Sequence, residues 1–118
     1  MTMRNPDAKH LDFTELVGII PDNKLWLASN LDMVFERKGK FLVCEWKREN
    51  EKISGGQKLL LKQLTKKKDF TVLIVVGNTD NGMVVEKFYK IISDDKMREI
   101  GTSLDDFKKF IISWYNNA

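Results

Sequence analysis

The alternation of apolar and polar positions divides the chain of 118 residues into helical and extended stretches. Pro6 to Gly18, with Leu11, Glu15 and Gly18 at helical spacing and Asn5 or Asp7 as a cap, predicts a first helix. Leu16, Val17, Ile19 and Ile20 would then carry the chain into the interior. Leu25-Trp26-Leu27-Ala28 reads as an extended lead-in or first strand, with Trp26 in or near the core. Leu31 to Arg37 alternates, Lys38-Gly39 turns and Lys40 to Lys47 returns, a β-hairpin pattern. A long helix follows from Ser54 to about Lys67, with Ser54 and Gln57 in capping-box positions and Leu60, Leu61 and Leu64 on the apolar side. Asp69 to Val76 is a β-branched run of the kind found in strands covered on both faces. After a helical crossover it would lie parallel to the Glu45 strand. Met83 to Ile92 alternates like an edge strand. Ser93 to Gly101 reads as a polar connection with some helical character. Ser103 then caps a last helix that turns Phe107, Phe110, Ile111 and Trp114 toward the sheet. The expectation is a single α/β domain over residues 1–118, a mixed sheet flanked by helices in the order αβββαββα.

The hairpin carries the candidate chemistry. With Lys38 and Gly39 as a two-residue loop, Asp32 falls directly opposite Glu45, their Cβ atoms about 4.5–5.5 Å apart, and Lys47 shares that face. Two facing carboxylates repel unless a cation sits between them, and oxygen ligands suit a hard divalent ion. Two carboxylates with an ammonium alongside suit phosphodiester hydrolysis, in which a metal polarises phosphoryl oxygen and acidifies water while the lysine stabilises charge. Asp22, in the turn-like Pro21-Asp22-Asn23-Lys24, is the rival first carboxylate. Choosing Asp32 rests on register, since a three-residue loop would move it to the other face.

Composition narrows the alternatives. Apolar residues at 42% and charged residues at 31% are ordinary for a globular chain. The longest wholly apolar run, Val72 to Val76, is too short to span a membrane, and the polar opening lacks the apolar centre of a signal peptide. Cys44, the single cysteine, cannot form an intramolecular disulfide; in the hairpin it shares a face with Met33 and Trp46, as a buried thiol in a reducing cytoplasm would. No Cys/His cluster suggests zinc, and His10 stands alone.

The net charge of +3 is unevenly spread. From Glu36 to Lys68 eleven Lys/Arg face four Glu, a balance of +7; the remainder holds nine against thirteen acids, a balance of −4. Basic charge thus gathers on the segment with the candidate site, as on a surface that meets a phosphate backbone. Gly55-Gly56 opens the following helix without side chains, where main-chain N–H groups could approach a phosphate, and Lys58, Lys62 and Lys66 recur every fourth residue. Arg48, Ser54, Gly55, Gly56, Lys58, Lys62 and Lys66 make up the candidate nucleic-acid surface.

Asp32, Glu45-Trp46-Lys47 and Gln57, within Phe13 to Val76, resemble the PD-(D/E)XK nuclease superfamily, most closely its small VRR-NUC and Holliday-junction-resolvase-like members. Leu31 stands where the family pattern has proline. The resemblance implies a restriction-endonuclease-like core, with Asp32, Glu45 and the Trp46 backbone carbonyl as Mg²⁺ ligands and Mn²⁺ as a substitute. It implies Lys47 as the catalytic lysine, Gln57 as the residue positioning metal-bound water, and Glu15 as a helix glutamate beside the metal. The expected activity is Mg²⁺-dependent endonucleolytic cleavage of DNA, selective for branched or junction structures because the chain has no spare segment to read base edges. Cutting two strands would call for a homodimer. The alternative is a nuclease fold that binds nucleic acid or protein without catalysis.

Overall fold

Lys38 and Gly39 both take positive φ, 54° and 80°. This is the type I′ turn, whose twist matches that of the strands it joins. Strand β1 (Met33–Arg37) and strand β2 (Lys40–Lys47) accordingly pair antiparallel with Met33 opposite Cys44 and Arg37 opposite Lys40, the register expected from the sequence. The computed structural model describes residues 13–26, 28–53 and 55–118.

Helix α1 (Gly55–Thr65) carries the chain across to β3 (Phe70–Asn78), which runs parallel to β2 with Phe41 opposite Phe70 and Lys47 opposite Val76. Strands β4 (Val84–Ser93) and β5 (Lys96–Gly101) add antiparallel neighbours, giving one mixed sheet in the order β1-β2-β3-β4-β5. Helix α2 (Leu104–Asn117) closes the described structure. Ser103 Oγ accepts from the Asp106 amide at 3.1 Å, so the expected cap forms, and Asp106 Oδ2 accepts from the amide of Thr102, one residue before the cap, at 3.0 Å.

The helices lie on opposite faces. On the α2 side Leu42, Cys44, Leu73, Val75 and Phe88 pack around Phe107, with Met33 and Trp46 beside them. On the α1 side Val43, Val72, Ile74 and Ile91 pack against Leu61. Alternation along β2 therefore sends Cys44 and Trp46 one way and Val43, Glu45 and Lys47 the other. Buried on both faces, β3 is the central strand that its composition predicts. No helix among the described residues is long and apolar enough to cross a membrane.

Other expectations change. Within Pro6–Gly18 the described part forms only the 3-10 turn Thr14–Leu16, and residues 1–12, His10 among them, lie outside the described residues. Leu16, Val17, Ile19, Ile20 and Trp26 are exposed rather than interior, because one 3-10 turn offers no face to bury and the helices that cover the sheet come from elsewhere in the chain. Leu25, Trp26 and Ala28 are not in a strand, and Leu27 lies outside the described residues. Residues 96–101 form β5 instead of a connection, which makes β4 an interior strand. Its simple alternation is also broken: Val76 pairs with Lys87 and Gly77 with Val85, leaving Glu86 as a bulge that returns Val85 and Phe88 to the same face. A Cβ at Gly77 would collide with the Val84 carbonyl oxygen, so only glycine fits beside this bulge. The described elements thus run ββαβββα after the 3-10 turn.

Candidate functional site

Beyond Met33 the hairpin ladder stops, and a side chain takes over. The Trp46 amide, which points toward the β1 side, donates to Asp32 Oδ2 at 2.8 Å. In a strand the N–H and C=O of one residue point to the same neighbour, so the Trp46 carbonyl also faces the side where Asp32 sits. Asp32 itself lies in a bend just before β1.

Glu45 is 8% exposed, and its carboxyl is in hydrogen-bonding contact with that of Asp32. Burial first, then the neighbouring Asp32, pushes the Glu45 carboxyl up to about 7, while a hydrogen bond from Gln57 pulls it down. Glu45 Oε2 is buried with no hydrogen-bond partner. An orphaned buried oxygen costs about 1–3 kcal/mol, more if charged, so the pair calls for a shared proton or a cation.

Gln57, on the first turn of α1, sends its Nε2 to the Asn30 carbonyl at 2.8 Å. An amide nitrogen has two protons, so the same group can also serve Glu45. The expected capping-box partner, Ser54, lies outside the described residues. Lys47 Nζ donates to the Glu51 carbonyl at 3.2 Å, which holds the ammonium over the exit of β2. Asp32, Trp46, Lys47 and Arg48 line a crevice of about 390 Å³ that Asn78 and Thr79 close from the end of β3. Crevices at the carboxyl ends of parallel strands are common binding positions in α/β sheets.

No family model, curated protein or solved structure matches the chain.

The remaining candidates divide. Glu15 is exposed in the 3-10 turn and Asp22 is exposed in a turn; neither lines this crevice. Arg48 grips Asp80 with both terminal guanidinium nitrogens, at 2.6 and 2.7 Å, so the arginine expected to be offered to DNA is held by a carboxylate. Lys66 lies just past α1 and pairs with Asp94 at 3.5 Å, whereas Lys58 and Lys62 line a separate groove with Lys47. Gly55 and Gly56 are exposed, and added Cβ atoms there would meet nothing within 4 Å.

The Asn30 and Glu51 carbonyls were not legible, since a main-chain acceptor leaves no mark in residue type. No group of three His, Cys, Asp or Glu side chains gathers among the described residues. A cation here would rest on Asp32 and Glu45, with the Trp46 carbonyl, water or substrate oxygen completing its shell, a donor set that fits Mg²⁺.

Proposed function

We propose that the chain is a Mg²⁺-dependent DNA endonuclease with a restriction-endonuclease-like core, acting on branched or junction DNA. The observation that carries this reading is the buried Glu45 carboxyl against Asp32, with Oε2 lacking any donor and Lys47 two residues along the same face. The all-oxygen donor set fits a hard cation, which when bound would supply Lewis acidity toward phosphate and a more acidic water. Asp32 and Glu45 would hold it, and the Trp46 amide fixes Asp32 in place. Gln57 orients the inner carboxylate. Lys47, carried to the crevice by β2, stabilises negative charge on the phosphate and can orient the attacking water.

The test is cleavage of a labelled four-way junction and of a matched linear duplex with Mg²⁺ or Mn²⁺, comparing wild type with Lys47→Ala and Asp32→Asn. Junction cleavage by wild type, lost in both variants and on chelation, supports the reading. Binding without cleavage by wild type would leave a nucleic-acid-binding module. Equal cleavage by Lys47→Ala would remove the lysine from the mechanism.

A further inference from the structure

A groove of about 620 Å³ runs beside α1 on the Lys47 face of the sheet. One wall is α1 with Lys58 and Lys62, the other is the β4–β5 turn with Lys96, and Lys52 stands at the end nearest the crevice. Ile74 and Ile91 form the floor, and Tyr89 lies half-buried among them. Glu51, Asp94 and Asp95 also line it, so five lysines face three acids, and one of the three, Asp94, is already paired with Lys66.

Two further relationships connect this groove to the proposed site. Lys47 lines both cavities. Lys47, Val76 and Lys87 lie opposite one another on three adjacent strands, which puts Lys87 about 10 Å from Lys47 across the same face. Lys87 in turn brings its Nζ over the Tyr89 ring, 5.9 Å from the ring centre. Cations thus continue from the crevice to an aromatic ring set in a basic, apolar-floored channel.

We infer that this groove binds a single strand of DNA leaving the crevice, with a base against Tyr89 and phosphates along Lys58 and Lys62. The inference rests on the nuclease reading and narrows its substrate to DNA with an unpaired arm. Pockets of about 300–1,000 Å³ hold single drug-sized molecules, a volume that a base with its sugar and phosphate occupies and a duplex does not. Basic grooves with aromatic platforms are the general solution for unpaired strands, because every base has a face to stack and every nucleotide a charge.

The test uses fluorescence anisotropy with a labelled single-stranded oligodeoxythymidine and a blunt duplex of equal length, with Ca²⁺ in place of Mg²⁺. Tyr89→Leu should weaken single-strand binding about tenfold, as loss of one stacked base does, and Tyr89→Phe should stay near wild type. The double variant Lys58→Ala/Lys62→Ala, on the surface of α1, should reduce the salt slope of single-strand binding by about 1.4, or about 0.7 per lost phosphate contact. Duplex binding should change little in all three. Single-strand affinity unchanged in Tyr89→Leu and in the lysine variant, or an equal loss on duplex, would overturn the groove. Cleavage of junction DNA that is indifferent to these substitutions would remove the groove and leave hydrolysis standing. Groove-dependent binding without any Mg²⁺ or Mn²⁺ cleavage would keep the groove and remove hydrolysis.

Discussion

Arg48 and Asp80 are joined by two short hydrogen bonds, 2.6 and 2.7 Å, that tie the chain just after β2 to the turn between β3 and β4. Planar two-point geometry of this kind is the stronger form of ion pair, yet both side chains are more than half exposed. Exposed pairs contribute about 0–1 kcal/mol, so the contact matters more for where Arg48 points than for stability.

Asp80→Asn should therefore leave thermal unfolding nearly unchanged while releasing Arg48 toward a phosphate at the crevice. Duplex affinity should rise, with a salt slope steeper by about 0.9 for one added contact. Anisotropy across a salt series reads both quantities, and an unchanged slope would show that Arg48 does not reach DNA.

Glu45 sets a pH dependence of unusual sign for a carboxyl. Its value rises from 4.5 to about 7 in the fold, so the folded state binds this proton more tightly than the unfolded chain. The stability it contributes is full below 4.5 and is lost as pH climbs through about 7. The Tm of the metal-free protein should thus fall as pH rises across that window, and Glu45→Gln should flatten the trend. Gln57→Ala removes the hydrogen bond that holds the carboxyl down and should move the window upward, as NMR titration of the Glu45 side chain would detect.

On the proposed reading, Mg²⁺ would compete with that proton for the Asp32–Glu45 pair. At pH 8 a hundredfold excess over Kd should stabilise the wild-type protein by about 2.7 kcal/mol, the mass-action value for a ligand confined to the folded state. Glu45→Gln should lose most of this protection, read as the shift in Tm with added Mg²⁺. Equal protection of the variant would place the cation elsewhere.

Lys47→Ala should lower junction cleavage about a hundredfold or more, the scale for removing one donor that stabilises developing charge. Folding should be little affected, because its ammonium bonds only one exposed main-chain oxygen among the described contacts. Single-turnover rates at saturating enzyme separate this from weakened binding.

Gly56→Ala should stabilise the fold by about 0.5–1 kcal/mol, since an alanine side chain there meets open space and glycine is the poorer helix former. Weaker DNA binding in the same variant would show that the bare helix start admits a phosphate. Gly77→Ala, by contrast, drives a methyl group into the Val84 carbonyl and should cost at least about 2 kcal/mol.

The hairpin and its register were readable because a two-residue turn leaves only one pairing that keeps Cys44 and Trp46 inward. β3 was readable from its unbroken apolar run, and α2 from a serine cap followed by Phe107 and Phe110 at helical spacing. β5 was not, since Lys96 to Glu99 are all exposed and show no alternation to mark a strand. Nor was the bulge at Glu86, which shifts the period of β4 by one residue. At the site, the apposition of Asp32 and Glu45 followed from side-chain periodicity. Arg48 finding Asp80 depended on a turn whose path the local pattern did not define.

The Asp32–Glu45 apposition belongs to a structure built from near neighbours in sequence, whereas β2 meets β3 only after α1 has crossed over. Hairpins close in about 1–10 μs, and parallel pairing, which must bridge a longer loop, comes later. The two acidic groups should then be brought together early in folding, before α1 delivers Gln57 to them. Divalent cations present during refolding should accordingly accelerate the chain's collapse as well as hold its finished form, an effect that stopped-flow fluorescence of the tryptophans would reveal.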